Sequence, residues 1–496
     1  MTNLTKKAVW GTVIVLVMGL FSSFLAYLLR LLLARQLTPA EYGLVYAIIA
    51  FFGMFALFQY MGLGEASVKY IAEFLAKKQF RKVKQVILTI MVSWFSTSAL
   101  IGLVLILLSG WIASSYFDNP DVQGLVVLNA IILIFSPFEI IFKVLFRGFQ
   151  RLVYYSLLSF VKMLVVLAIT AVMLTLGFGV ASPFWAYLLV FPFLLVLFGW
   201  LFLGKTFPSF FSLQAGFNRP ITKKLFLFGV SAFLANMAGT VFTYTDTIVI
   251  TIFRSLEEVG YYNVGLPTAR VLWLIGTALI AVIFPMVSEL WARKRISTLS
   301  TGLEQLYRFA SIIILPVSFV MALFPRLILK LLFGAQYGPA AGVLRIVAAG
   351  TIIISFALIN NSVLSGIGKP QIVSKIMLFS AGFNLAANLL LVPSMGIDGA
   401  ALSTVASFLL VFIFSLLAVR KHIPFRLQPR LYLRIILSSL IFVVIVSMLK
   451  GVWSINPWSE AILSVVVAGI VYIGLLFLWR ILSFAELKAL WKQLLP

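Results

Sequence analysis

Seven side chains in this sequence have the type and spacing to do chemistry where polar groups are hard to place. Arg30, Lys162 and Arg270 are cations, Asp246 is an acid, and Asn236, Asn384 and Asn388 are amides; all fall inside long apolar stretches. An ionised group at a bilayer centre costs at least ~2.5 kcal/mol on insertion scales, so each must face protein or water. Arginine presents a planar fork of donors matched to phosphate oxygens, lysine a point charge, and an amide both a donor and an acceptor. Arg30 and Asp246 occupy similar heights in an internal repeat described below. They could pair, either as a static ion pair or as a gate or ion-coupled switch opened by a competing ligand. Asn384 and Asn388 lie four apart on one helix face, where hydrogen bonding between helices is the plainer alternative to ligand contact.

Other chemistries are missing from the inventory. The chain has no Cys, which removes disulfides, thiol catalysis and thiolate metal sites, and one histidine, His422, is too few for an imidazole metal centre. Gly366, Gly368 and Lys369 lack the spacing and the following Ser or Thr of a phosphate loop, and Gly62 with Gly64 follows no strand. The reading is therefore not an enzyme, with no cofactor and no metal, and without ATP hydrolysis of its own.

The elements that must position these residues are membrane helices. The 496 residues are 62% hydrophobic and 10% charged, with mean hydropathy +1.13, which fits an all-α polytopic membrane protein. A window of roughly 20 apolar residues gives fourteen spans: 9–33, 42–64, 86–110, 122–142, 152–176, 183–203, 225–252, 261–288, 307–325, 341–364, 373–392, 400–419, 435–450 and 460–479. The first follows Lys6 and Lys7 but is too long for a signal peptide and has no small-residue cleavage site, so it reads as a retained helix. Most of the 38 Lys and Arg fall on one side of this topology, which places both termini in the cytoplasm and explains the net charge of +24 without nucleic acid. Residues 67–85 carry six cations with Val68, Ile71, Phe74 and Leu75 at helical spacing, either a helix lying on the inner leaflet or a solvated loop helix. Glu65 with Lys69, Glu139 with Lys143 and Glu289 with Arg293 read as local i,i+4 pairs near helix ends, and Arg345 as a cation that snorkels or serves a site.

Three loops repeat at one offset. Glu41-Tyr42-Gly43 matches Glu258-Val259-Gly260 and Gly179 matches Gly396 at 217 residues, and Gly148 matches Gly366 at 218. An even number of spans per repeat gives both halves one orientation, related by a pseudo-twofold axis along the membrane normal. The expected organisation is an N-terminal six-helix bundle over 1–203, a cytoplasmic linker over 204–224, and a C-terminal six-helix bundle over 225–419. Helices 13 and 14 with a cytoplasmic tail then occupy 420–496. Pro267, Pro285 and Pro316 predict bends in spans eight and nine.

The segments LLRLLLARQLTPAEYGLVY (28–46), GLGEASVKYIAEFLAKK (62–78), TDTIVITIFRSLEEVGYYNV (245–264), FPMVSEL (284–290), FGAQYGPAAGVLRI (333–346) and GIDGAALST (396–404) together resemble the Wzx-like oligosaccharide flippases of the MOP exporter superfamily, over nearly the whole chain. The resemblance implies two bundles around a central cavity that alternates between membrane faces, carrying a lipid-linked oligosaccharide from the cytoplasmic to the outer leaflet. By helix position it also implies that Arg30 and Arg270 meet the phosphate, and that spans 13 and 14 could hold an isoprenoid tail. The expected binding set is Arg30, Lys162, Arg270, Asn236, Asn384 and Asn388, with Asp246 and Arg30 as coupling or gating residues. Expected partners are membrane lipid and the lipid-linked oligosaccharide, with glycan-assembly enzymes as further candidates, no nucleic acid, and a monomeric transport unit in the plasma membrane. Two alternatives stand beside this: a multidrug/cation antiporter of the same superfamily, whose cavity should be rich in carboxylates, and a non-transporting scaffold for glycan assembly.

Overall fold

Local signals set the helix boundaries. Thr38 and Glu41 form a capping box, with the Glu41 N–H donating to the Thr38 hydroxyl at 3.3 Å and the Thr38 N–H donating to the Glu41 carboxylate at 2.8 Å. Two donors that every helix start leaves open are thereby satisfied, and Pro39 supplies a preset φ at the first position. Asn218 caps a later helix by accepting from the Ile221 N–H at 3.1 Å.

The computed structural model describes residues 3–449, 452 and 456–483, and among them no strand occurs. Lys450, Lys488, Lys492 and the expected C-terminal tail lie outside the described residues. In chain order the first helices are α1 (Asn3–Gln36), α2 (Pro39–Tyr60), α3 (Leu63–Ala76), α4 (Phe80–Leu107), α5 (Gln123–Phe135), α6 (Pro137–Gly148), α7 (Leu152–Thr175) and α8 (Ser182–Leu201). They are followed by α9 (Arg219–Phe253), α10 (Leu256–Arg270), α11 (Trp273–Ala292), α12 (Ile296–Leu323), α13 (Pro325–Leu332), α14 (Ala341–Gly366), α15 (Pro370–Arg420), α16 (Pro429–Leu449) and α17 (Pro457–Leu478). Eleven described stretches are long and apolar enough to cross a bilayer.

Several expected spans are punctuated. The span read as 42–64 stops at Tyr60, because Met61 and Gly62 turn left-handed at φ 45° and 67°. The span 122–142 is α5 and α6, meeting at Ser136 just before Pro137. The span 261–288 is α10 and α11: one turn beyond Pro267, Val271 and Leu272 donate to Thr268 and Ala269, tightening the chain into i→i+3 bonds. Pro285 and Pro316 sit within continuous helices. Conversely, 373–392 and 400–419 run on in α15, broken only at Gly396, whose φ of 58° and ψ of −138° suit a residue without a Cβ.

Contacts divide the chain into two compact units. The first holds Met1–Gly260 with Asn388–Gly396, the second Tyr261–Ala387 with Ile397–Pro496. In the first, α1 packs on α7, α7 on α8, α4 on α5, and α9 on α2 and α3, so this unit takes in a helix beyond the 1–203 bundle of the repeat. The motif glycines explain part of that. A Cβ on Gly43 would overlap the Leu256 carbonyl, and one on Gly260 would overlap the Pro39 carbonyl. Each glycine thus meets the repeat-equivalent backbone of the other, which only residues without side chains permit. Within 67–85, Ile71 and Phe74 of α3 are buried and Val68 and Leu75 partly so, and α3 packs on α4, α6 and α9, so much of the apolar face read from the sequence is covered by protein.

In the second unit, α14 packs on α11 and α12, and α12 and α17 pack on α16. Ile312, Phe442, Tyr472 and Leu476 form part of one buried cluster there, with the Tyr472 hydroxyl donating to the Ile312 carbonyl at 2.8 Å.

Candidate functional site

The site is built from α6 outward. Glu139, Lys143 and Arg147 recur every fourth residue, which aligns them along one side of the helix, while Ile141, Val144, Leu145 and Phe146 are buried. Glu139 is 5% exposed. Its two carboxylate oxygens take two cations, Lys143 Nζ at 2.6 Å on Oε1 and Lys162 Nζ at 2.6 Å on Oε2. One turn further, Arg147 forks onto Glu65 with Nη1···Oε1 3.0 Å and Nη2···Oε2 3.2 Å, the bidentate geometry a guanidinium favours.

Of these groups Lys143, Arg147 and Glu65 border a cavity of about 340 Å³ inside the first unit, lined also by Tyr60, Asn236 and Tyr244. A second cavity of about 220 Å³ shares Gly53, Ala56 and Tyr60 with it and is lined by Gln59, Asn129 and Tyr187. Gln59 is fixed there by donating to the Leu133 carbonyl at 2.9 Å and the Ser136 hydroxyl at 2.7 Å. Beyond it, Lys162 Nζ lies 5.3 Å from the centre of the Tyr187 ring, and the Arg30 guanidinium lies 4.2 Å from that of Tyr46. Arg30 also interacts with Tyr42 and Tyr187. The four cations 147, 143, 162 and 30 therefore form a row inside the first unit, linked by carboxylates at one end and aromatic rings at the other.

The residues singled out from sequence are distributed as follows. Arg30 and Lys162 belong to this row, and Asn236 lines the larger cavity. Asp246 is buried and accepts from Asn388 Nδ2 at 2.7 Å, with Asn384 fully buried one turn before Asn388. Arg270 belongs to the second unit, where its guanidinium lies 5.0 Å from the centre of the Trp273 ring. Arg345, also there, donates from Nε to the Ala322 carbonyl at 3.3 Å.

Two parts of the sequence reading change. Glu139 with Lys143 and Glu289 with Arg293 are paired as read, the latter at 2.8 Å, but Glu65 pairs with Arg147 while Lys69 lies 4.5 Å from the centre of the Phe228 ring. The deep charge is also less lopsided than three cations to one acid. Lys162 shares the Glu139 carboxylate, which stands far enough from the helix end to be buried with it. Lys143, Arg147 and Glu65 were not read as cavity residues; the signal available was the row of three charges at i, i+4 and i+8 within an apolar run.

Comparisons with known proteins agree with this architecture. The profile of a family described as "Polysaccharide biosynthesis protein" matches residues 32–342. An uncharacterized membrane protein of Methanocaldococcus jannaschii is 29% identical over 503 residues, 97% of either chain. A protein of Haloferax volcanii described as a probable low-salt glycan biosynthesis flippase is 22% identical over 258 residues, covering 52% of this chain and 55% of that one. Among solved structures, the lipid II flippase MurJ in an inward closed conformation superposes with TM-score 0.72 at 15% identity, covering 94% of this chain and 99% of that one. A multidrug resistance MATE family transporter of the MOP superfamily, inward-facing, gives 0.61 at 16% identity, covering 79% and 93%.

Proposed function

Because this chain belongs to the polysaccharide biosynthesis protein family, we propose that it moves a polyprenyl phosphate- or diphosphate-linked oligosaccharide from the cytoplasmic to the outer leaflet by alternating access. The observation that carries the proposal is the cavity among the membrane helices whose charged lining is Lys143, Arg147 and Glu65, two cations to one acid. A phosphate head group cannot enter hydrocarbon unaided, and a sugar chain needs hydrogen-bonding partners along its route, whereas the prenyl tail can remain in lipid. In this reading Arg30, Lys162 and Arg270 serve the phosphate, and Asn236, Asn384 and Asn388 the sugar. Asp246, held by Asn388, couples transport to a cation or works as a gate with Arg30. The protein has fourteen membrane helices in two six-helix bundles plus a terminal pair, works as a monomer in the plasma membrane, and keeps both termini in the cytoplasm. The fold shared with MurJ and the description of the Haloferax relative support the substrate class. A cavity for cationic drugs would favour the opposite charge balance.

Reconstitution into proteoliposomes tests this. A fluorescent sugar on a short prenyl diphosphate should reach the opposite leaflet faster than in empty vesicles, and Arg270→Ala should abolish the gain. Efflux of a cationic dye without sugar translocation would replace the proposal by the antiporter. Neither activity, with surface glycan intact in Arg30→Ala and Arg270→Ala cells, would leave a scaffold.

A further inference from the structure

The cations on the wall of the first unit's cavity are held by carboxylates of the same unit. Lys143 and Arg147 stand one helical turn apart on its wall, and each is engaged by a carboxylate, Glu139 at 2.6 Å and Glu65 at 3.0 Å. The two carboxylates are held differently. Glu139 is shared between two lysines, so losing Lys143 still leaves it Lys162 at 2.6 Å. Glu65 has 48% of its side chain exposed, so losing Arg147 does not leave it enclosed in apolar surroundings. Neither release strands a buried charge, the event that makes breaking most buried ion pairs so unfavourable.

We infer that Lys143 and Arg147 form an exchange seat for a phosphate or diphosphate, in which Glu139 and Glu65 occupy the cations until the phosphate displaces them and return when it leaves. The inference rests on the transport reading above and specifies how one seat along that route loads and unloads. Three cations, Lys143, Lys162 and Arg147, face two carboxylates, so the group as a whole keeps one surplus positive charge to attract an anion. A dianionic phosphate finds an ammonium and a guanidinium fork at once, and Asn236, Tyr155 and Tyr60, which also line the cavity, offer hydrogen bonds to the first sugar. The volume of about 340 Å³ lies in the range of ordinary ligand pockets, ~300–1,000 Å³. A permanently bare pair of cations would hold the phosphate without letting go; competing internal carboxylates lower affinity and favour release, as a carrier requires.

The exchange makes a prediction of opposite sign for acid and base. Full-length protein in detergent is titrated with farnesyl diphosphate and, separately, with inorganic diphosphate. Lys143→Ala and Arg147→Ala should each weaken farnesyl diphosphate about tenfold or more, the scale of one charge-assisted hydrogen bond. Glu65→Gln should instead tighten it several-fold and slow its dissociation, and Glu139→Gln should do the same where the variant retains its fold. Because Glu65 is half exposed, its variant keeps the test valid if Glu139→Gln fails to fold. Unchanged or weaker binding in Glu65→Gln, or full affinity in Lys143→Ala and Arg147→Ala, overturns the seat. If that happens while wild-type vesicles still translocate the sugar lipid, the transport proposal survives without it. Inorganic diphosphate binding as tightly as the prenyl form, with the same mutant signs, would keep the exchange and assign it to a free phosphate rather than a lipid.

Discussion

The two units solve the problem of polar groups in apolar helices by different chemistry. In the first, α6 carries Glu139, Lys143 and Arg147, engaged by Lys162 and Glu65. In the second, the repeat-equivalent end of α14 carries Ala357, Asn361 and Ser365 at those positions, and Lys162 corresponds to Phe379 or Ser380. At that end the buried polar links are neutral: the Tyr307 hydroxyl donates to Asn360 Oδ1, and Asn360 Nδ2 donates to the Ser415 hydroxyl at 3.1 Å, while the unit's deep cations, Arg270 and Arg345, lie on other stretches of helix. Since corresponding helices form with neutral side chains in the second half, helix formation does not require charge in the first. The ion pairs there need another reason, and binding an anion is one that fits their sign.

That contrast can be broken by measurement. The largest effect is expected for Glu139→Ala, which leaves Lys143 and Lys162 without their shared carboxylate and should cost about 3–5 kcal/mol of stability. Unfolding in detergent followed by tryptophan fluorescence would read it, and a loss under ~1 kcal/mol would mean that the triad is already screened by water. The matching change in the second unit, Asn360→Ala, leaves the buried Tyr307 hydroxyl unsatisfied and should cost about 1–3 kcal/mol by the same assay. If it equals or exceeds Glu139→Ala, charge is not what distinguishes the units. Smallest of the three, Thr38→Ala removes the exposed capping box at the start of α2 and should cost ~1 kcal/mol without altering sugar-lipid translocation. A transport defect there would show that the cap does more than begin a helix.

Much of the architecture was legible because its signals are local. Apolar runs located most of the helical segments, though α12 begins at Ile296 where the span was read from 307. They missed the breaks at Met61–Gly62, Ser136 and Val271–Leu272 and the continuity of α15 across all but Gly396. Candidate residues were legible for a related reason: a charge in an apolar run is conspicuous wherever it points. Local spacing also found Glu139–Lys143 and Glu289–Arg293, since residues four apart on a helix are neighbours by geometry.

What the amino-acid sequence determined, then, was the number and kind of polar groups placed among apolar helices, and the helical segments that carry them. Beyond neighbours four apart on one helix, which of them meet was decided by tertiary structure. Lys162 reaches Glu139 across 23 positions of chain, Arg147 reaches Glu65 across 82, and Asn388 reaches Asp246 across 142. Such pairings depend on the rotation and register of one helix against another, set by the summed packing of many small contacts, and no short stretch of chain contains that information.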